Sequence, residues 1–136
     1  MAAFNFVNSF KEALPEKIHN LGSDTLKVAL TNSAPAATNT VLANITEIAY
    51  TNLSARTLTT SSSSQTSGTY KLVLADLVLT ASGGNVAAFR YVVIYNDTAS
   101  NDELIGWYDY GSSLTLLDGD SLTIDFDATN GFLQLA

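Results

Sequence analysis

Two apolar runs, residues 89–97 and 103–110, dominate the pattern of hydrophobic positions along the chain. Both are rich in β-branched and aromatic side chains, and the segment between them holds the small polar residues typical of a turn. The pattern therefore predicts two antiparallel strands of one long hairpin. Neither face of the first strand is polar throughout, so we expect this strand in the middle of a sheet that is covered on both sides.

Shorter alternating runs predict further strands on both sides of this hairpin. Residues 25–31 alternate strictly, with Leu26, Val28 and Leu30 on the inward face. The other runs are separated by turn residues, and they lie at 70–74, 77–80, 113–117, 121–127 and 132–135. A series of about seven or eight strands after one helix predicts a mainly β chain, as an antiparallel β-sandwich or a partly closed barrel.

Two stretches have a less regular pattern. Residues 61–68 are mostly serine and threonine, which is typical of an exposed loop or a threonine-rich edge strand. Residues 41–48 have apolar positions spaced by three and predict a short helix, with Thr40 or Asn39 as its cap.

The opening segment has a helical pattern. Its apolar residues recur at intervals of three and four, which predicts an N-terminal amphipathic helix. Pro15 predicts a kink or a second short helix, and Gly22 predicts the stop. The helix either packs on the chain's own sheet or docks on a partner chain. The candidate docking residues are Phe4, Phe6, Val7, Phe10, Leu14 and Ile18.

Length and composition favour one domain that is stabilised by packing or by neighbouring subunits. We expect a single domain over residues 1–136, with 1–22 as the helix or docking arm and 23–136 as the β domain. The chain has no cysteine, which excludes a disulfide framework and a thiolate metal site. Its start lacks the pattern of a signal peptide, and no stretch approaches the ~20 apolar residues of a membrane span.

Charge is distributed unevenly along the chain. Residues 1–90 hold all six basic side chains and five acids, whereas residues 91–136 hold eight acids and no base, for a net charge of −7. Phosphate binding depends on clustered Lys and Arg, so nucleic acid and anionic membranes would repel such a chain. We therefore expect neither nucleic acid nor a membrane as a partner.

The residues that could carry enzyme chemistry are isolated. His19 is the only histidine, and nothing marks a serine as its partner in a hydrolytic triad. We predict a surface or boundary position for His19 near the helix end, where the helix dipole suits it. No phosphate loop, dinucleotide fingerprint or zinc spacing is present. The sequence therefore predicts a protein that is not an enzyme, with no cofactor.

The acids near the C-terminus have the oxygen chemistry that calcium prefers. Their spacing does not match the twelve-residue calcium loop, and Asp118-Gly119 is typical of a tight hairpin turn. A sugar-binding platform is conceivable from Trp107 and the tyrosines beside it. Alternation places Trp107 and Tyr108 on opposite faces, however, and we predict that Trp107 is buried.

Several ordered stretches of the chain are similar to a known group of proteins. Residues 4–13, 19–22, 25–32, 89–93 and 104–111 resemble small virion proteins encoded among the structural genes of tailed double-stranded DNA bacteriophages. The likeness runs over most of the chain and includes no catalytic motif. Pro15 departs from the helix-compatible residue expected at its position.

The resemblance implies a virion structural protein, foremost a capsid decoration (cement) protein that binds the outside of the head and stabilises capsid subunits. Its implied partners are the major capsid protein or other virion proteins, in a homo-oligomer such as a trimer. The protein would be made in the host bacterial cytoplasm and located in the virion. Two alternatives remain: another virion component, such as a head fibre base, tail or neck protein, and a carbohydrate-binding host-recognition module.

Overall fold

The computed structural model describes residues 3–136, which form mainly antiparallel β-structure that does not close into a barrel. One short helix lies near the N-terminus, and one turn of 3-10 helix spans Leu42–Asn44. The remaining regular elements are β1 (Phe4–Phe6), α1 (Phe10–Ala13), β2 (Leu26–Thr31), β3 (Thr60–Thr66), β4 (Thr69–Leu74), β5 (Leu77–Thr80), β6 (Phe89–Asn96), β7 (Leu104–Leu114), β8 (Ser121–Ile124) and β9 (Leu133–Leu135).

The strands form three sheets. The largest has the order β1-β7-β6-β2, the second is β3-β4-β9, and the third is the pair β5-β8. The long hairpin predicted from the sequence is confirmed as β6 and β7, and β6 lies between β7 and β2 as expected. Because β6 has strand neighbours on both sides, its backbone is paired along both edges and its apolar faces are available for packing.

Both faces of the central strands are covered. In β2 the predicted inward residues Leu26, Val28 and Leu30 are buried, and Ala29 on the opposite face is buried as well. In β6 the residues Val92, Val93, Ile94 and Tyr95 are all buried, so the prediction of a strand covered on both sides is confirmed.

Strand β7 is longer than its sequence pattern indicates. The separate strand predicted at 113–117 is wrong, because β7 passes through a bulge and pairs Leu114 with Phe89. Asp109 fixes this bulge: its carboxylate accepts 2.8 Å hydrogen bonds from the Gly111 amide and from Arg90 Nε. Gly111 has a φ of 98°, a conformation that favours glycine.

The N-terminal segment contains a helix that is much shorter than its periodicity predicts. Residues Phe4–Phe6 pair with β7 as a strand, Phe10–Ala13 make one helical turn, and turns follow, where a second helix starting at Pro15 was one expectation. At Gly106 of β7 a Cβ atom would lie 2.6 Å from the Phe4 ring. The absence of that Cβ lets the Phe4–Phe6 strand lie close to β7, and such tertiary contact outweighs the weak helical preference of a short segment.

The irregular stretches resolve into edges and turns. The serine-rich stretch forms β3, which is the edge-strand alternative of the two predictions. The short helix predicted at 41–48 shrinks to the 3-10 turn, and Asn44 Oδ1 accepts hydrogen bonds from the amides of Thr40 and Val41 at 2.9 and 3.2 Å. Asp118-Gly119 does form a turn, with Gly119 at a φ of 89°, but not the predicted hairpin, because β8 pairs with β5 and not with the strand before the turn. Within residues 3–136, the helices are all too short to cross a membrane.

Candidate partner-binding surface

A groove of about 500 Å³ opens between the α1 region and the C-terminal strand. Phe6, Phe10, Leu14 and Pro15 line one wall, and Leu133 and Leu135 of β9 line the other, with Lys11 as its one charged lining residue. We call this the β9 groove. Its lining is almost entirely apolar, which is the chemistry of a surface that binds an apolar segment.

A second cleft of about 660 Å³ continues from the β9 groove. It shares Leu14, Pro15 and Leu135 with the groove and adds Ile18 and Tyr70. Ile18 is 43% exposed and Leu135 is 50% exposed, so two large apolar side chains stand open to solvent along this line. The apolar groove thus continues into a cleft of mixed character, whose lining also includes Lys17, His19 and Asp24.

Strand β9 forms this wall because its alternation turns both leucines toward the N-terminal segment. Gln134, between them, lies on the opposite face and donates a 2.6 Å hydrogen bond to the Asn130 carbonyl. Gly131 has a φ of 82°, and a Cβ there would lie 2.9 Å from the Leu72 carbonyl oxygen. This close approach lets the chain turn sharply into β9 beside β4.

The predicted docking residues divide into two groups. Val7 and Phe10 are buried in the chain's own core, so a partner would reach them fully only if the segment moved. Phe4, Phe6 and Leu14 are half-buried, while Ile18 is exposed. The structure thus brings Phe6, Phe10, Leu14 and Ile18 to the walls of the groove and cleft, and it places Phe4 in an aromatic cluster beside them.

This aromatic cluster ties the N-terminal segment to the β domain. The Phe4 ring makes edge-to-face contacts with Tyr108 at 4.8 Å and Phe132 at 4.7 Å between centroids. Phe6 stacks on Phe10 at 5.4 Å. Such pairs each contribute about 0.5–1.5 kcal/mol of stability beyond that of the area they bury. These ring contacts therefore hold the segment in addition to its single helical turn.

Strand β2 lies at the edge of the four-stranded sheet, and this edge is closed, meaning that its outer backbone groups are paired. Each outward-pointing backbone group from the Leu26 carbonyl to the Leu30 carbonyl has a partner in residues 48–58. Three partners are backbone groups: the Leu58 amide on Leu26 O, Arg56 O on the Val28 amide, and the Ile48 amide on Leu30 O, at 2.9 to 3.0 Å. Two are side chains: Arg56 Nη1 donates to Val28 O at 2.6 Å, and Tyr50 Oη accepts from the Leu30 amide at 3.0 Å.

Tyr50, Arg56 and Glu47 form a compact polar cluster over this closed edge. The Tyr50 hydroxyl donates a 2.6 Å hydrogen bond to Glu47, and the Arg56 guanidinium lies 3.7 Å from the centre of the Tyr50 ring. Burial, together with the bond to the Glu47 carboxylate, raises the pKa of Tyr50 well above its ordinary value. The hydroxyl is therefore protonated throughout the physiological range, and the cluster serves as a fixed structural clasp.

His19 is buried, which makes the predicted surface or boundary position wrong: only 5% of the residue is exposed. Its Nδ1 lies 3.0 Å from Asn96 Nδ2, and the same amide nitrogen donates to Asp24 at 2.7 Å. Burial lowers the pKa of His19, while the carboxylates of Glu103 and Asp24 act in the opposite direction. Its Nδ1 partner is an amide, not a serine hydroxyl, so the geometry is not that of a hydrolytic triad.

The C-terminal acids shape turns, as predicted. Asp118 accepts a hydrogen bond from the Gly83 amide at 3.1 Å, and Asp120 accepts one from the Leu117 amide at 3.1 Å. Asp127 accepts two backbone bonds of 2.8 Å at the start of the turn before β9. These hydrogen bonds from Asn130 and Thr129 lower the pKa of Asp127. Among residues 3–136, no three acidic or histidine side chains are placed to hold a metal ion.

The aromatic residues of β7 do not make one flat platform. Trp107 is half-buried on one face, short of the deep burial predicted for it, and Tyr108 is half-buried on the other. Burial raises the pKa of Tyr108 to about 12. Tyr110 stands exposed on the bulge. Trp107 and Tyr108 therefore do not share one stacking face.

Sequence reasoning found one wall of the groove and missed the other. The 132–135 run was predicted only as a strand, although its alternation already places Leu133 and Leu135 on one face. What the sequence does not carry is the contact itself, since β9 and the N-terminal segment lie more than a hundred residues apart. The closed edge of β2 was missed for the same reason, because it depends on Tyr50 and Arg56 in an irregular stretch.

Comparisons with family models, with curated proteins and with solved structures found no significant match for this chain.

Proposed function

We propose that the protein is a non-enzymatic structural component of a tailed bacteriophage virion, most specifically a capsid decoration (cement) protein. The virion assignment rests on the resemblance of its ordered stretches to small phage structural proteins. The observation that carries a binding role is the β9 groove, an apolar surface beside an exposed edge strand. Such a site suits an extended apolar segment that adds to the sheet edge and places side chains in the groove.

In this proposal the partner is the major capsid protein, and the docking residues are Phe6, Leu14 and Ile18 with Leu133 and Leu135. Cementing needs a rigid body with one surface free to bind. A two-layer β-sandwich would provide that body. The observation that supports a sandwich is a crevice in which Val92 and Tyr108 face Leu122 and Ile124 of the β5-β8 pair. A symmetric oligomer such as a trimer would let one protein unit tie several capsid subunits together.

The test is sedimentation of the purified protein with heads, and separately with tails, of the phage that encodes it. We expect binding to heads. Leu135→Lys, which puts a charge into the groove, should weaken binding at least tenfold. Leu117→Lys is the matched control, because Leu117 is 52% exposed against 50% for Leu135 and lies outside the groove.

The other outcomes separate the alternatives. Binding to tails or necks alone would move the protein to another part of the virion. Binding to host polysaccharide with neither particle part bound would favour the host-recognition module and overturn the cement role. Equal losses from Leu135→Lys and Leu117→Lys would show that the β9 groove is not the docking site.

A further inference from the structure

The residues between α1 and β2, which we call the 14–24 segment, connect the groove to the central sheet. Glu16 and Lys17 are exposed, Leu14 is half-buried, and Lys17 has a φ of 71°, a conformation uncommon for residues other than glycine. Turn hydrogen bonds run within the segment, such as the Asp24 amide to the Asn20 carbonyl at 2.8 Å. Its buried side chains are Leu21 and His19.

The end of β6 contacts this segment through the Asn96 side chain, and Asp97 and Thr98 bond the backbone of Thr25 directly after it. Asn96 is fully buried, and its Nδ2 reaches His19 Nδ1 at 3.0 Å and Asp24 Oδ2 at 2.7 Å. Asp24 Oδ2 also accepts the Asn20 amide at 2.8 Å, which closes the turn around the same point. Residues 72 and 77 positions apart in the sequence are thus joined at a single amide.

The orientation of the Asn96 amide is fixed by the backbone. Its Oδ1 accepts hydrogen bonds from the amides of Thr98 at 3.0 Å and Ala99 at 3.2 Å. Because both partners are donors, the oxygen must face them and the NH2 group must face His19 and Asp24. His19 Nδ1 is therefore a hydrogen-bond acceptor, and the neutral ring carries its proton on Nε2.

Protonated His19 does not fit this arrangement. A proton on Nδ1 would point at the Asn96 NH2 group, so two donors would face each other. Turning the Asn96 amide over would relieve that clash only by setting its NH2 group against the Thr98 and Ala99 amides. The bond between His19 and Asn96 must then break, and the buried position of the ring makes a retained charge costly.

We propose that His19, Asn96 and Asp24 form an acid-sensitive latch that holds the 14–24 segment against the end of β6 and opens when His19 is protonated. Opening would free Leu14 and Ile18 from their present positions and so reshape the β9 groove and its neighbouring cleft. The latch belongs to the single chain and does not require a virion partner.

The charged groups around the ring influence the pH at which His19 becomes protonated. Asp24 lies on the segment itself, and Glu103 lies directly before β7. Both carboxylates favour a protonated ring. Lys17 and Tyr70 line the cleft with His19. Burial is the largest effect and lowers the pKa of His19, so the closed state binds the proton less readily than the open state.

Two buried atoms make the closed state easier to open. His19 Nε2 and Glu103 Oε2 are buried and have no hydrogen-bond partner within residues 3–136. An unsatisfied buried donor and acceptor each weaken the state that buries them. The latch is therefore held by fewer bonds than its burial suggests, which is what a segment that opens requires.

The test is NMR on the full-length chain between pH 7.5 and 4.5, where the single histidine gives an unambiguous imidazole signal. At pH 7.5 the ring nitrogens should report an unprotonated Nδ1 and a protonated Nε2. As the ring titrates, hydrogen-exchange protection of the amides in 18–24 should fall tenfold for each unit by which the pKa is lower in the closed state. Protection in β6 and β7 should remain higher than in 18–24 at every pH, because those core amides exchange only when the whole chain unfolds.

His19→Asn is the matched variant, since its Oδ1 can accept the same bond from Asn96 and does not titrate. Its protection in 18–24 should be independent of pH over this range. Asn96→Asp is the second variant: its carboxylate would accept a hydrogen bond from the protonated Nδ1, so the pKa of His19 should rise above that of the wild type. These two variants read the latch even if one of them lowers global stability.

Three results would overturn the latch. One is a neutral ring with its proton on Nδ1. Another is titration of His19 with no loss of protection in 18–24. The third is the same acid response in His19→Asn as in the wild type.

Discussion

The edge strands β2 and β9 differ in whether their outer backbone groups are paired. The outward backbone groups of β2 are paired one after another by residues 48–58, with Tyr50 and Arg56 supplying side-chain partners. Strand β9 is three residues long, lies at the edge of its sheet, and borders an apolar groove with Leu135 half exposed.

This difference leaves the edge of β9 unpaired and the edge of β2 covered. An uncovered sheet edge is a ready template for pairing with another chain, and proteins usually blunt it. The chain places an arginine and a tyrosine on one edge for that purpose and leaves the other beside apolar side chains. A closed edge gives a rigid flank, and the open edge with its groove is the surface that we propose for docking.

The largest expected effect tests whether the open side is part of the core. Phe10 is buried between the groove and the rings of Phe6 and His19, so Phe10→Ala should lower the free energy of unfolding by about 3–5 kcal/mol. Ile18→Ala, on the exposed part of the same segment, should change it by less than about 0.5 kcal/mol. Urea denaturation followed by Trp107 fluorescence measures both. Equal, small effects would mean that the segment is a detachable arm.

A third edge, at β1, depends on Gly106. A Cβ there would lie 2.6 and 2.7 Å from atoms of the Phe4 ring and would also clash with the Asn5 carbonyl, so Gly106→Ala should cost about 1–3 kcal/mol. At Gly22 a Cβ would meet ordinary contacts at 3.5 Å, and Gly22→Ala should be near neutral. Thermal unfolding of the two variants provides the comparison. A harmless Gly106→Ala would show that β1 is free to move off β7.

Tyr50→Phe removes one side-chain partner from the closed edge of β2. This change removes the acceptor of the Leu30 amide, and an unsatisfied buried amide costs about 1–3 kcal/mol. Tyr110→Phe removes a hydroxyl from an exposed ring and should have an effect below about 0.5 kcal/mol. Light scattering on the same samples should show association only for Tyr50→Phe. Identical behaviour of both variants would mean that Tyr50 does not protect β2.

The smallest effect is the dependence of stability on pH. His19 has a lowered pKa in the folded chain, so the unfolded chain takes up the proton first as pH falls below the ordinary value of 6.5. The stabilisation is thus complete above pH 6.5 and is lost as pH falls toward the folded pKa. Denaturation midpoints at pH 7.5, 6.5 and 5.5 should fall in the wild type and stay nearly level in His19→Asn. A rise in wild-type stability toward pH 5.5 would contradict the direction of the shift.

The sequence predicted the parts of the fold whose pattern is local and strong. The β6–β7 hairpin was found because its β-branched and aromatic runs flank a clear turn. The strand at Phe4–Phe6 was not, because Phe4, Val7 and Phe10 are spaced by three and fit a helix equally well. What decides between them is the gap beside Gly106, which lies a hundred residues away and leaves no mark on the local pattern.

The candidate site was predicted in half. The apolar residues of the N-terminal segment were predicted as candidate docking residues. Their burial was not predicted, since periodicity shows that a face is apolar and not what covers it. The leucines of β9 and the clasp formed by Tyr50 and Arg56 arise from long-range contacts. Burial of His19 was likewise invisible, because it depends on an asparagine at the end of a distant strand.

The central claim is that the β9 side docks on the capsid while the β2 side stays free. A cryo-EM map of the intact virion, at a resolution that places side chains, tests it most directly. We predict density for this chain on the outside of the head, with Leu14, Ile18 and Leu135 against a neighbouring capsid subunit and residues 48–58 facing solvent. Contact through residues 48–58 with the β9 groove left open would contradict the account.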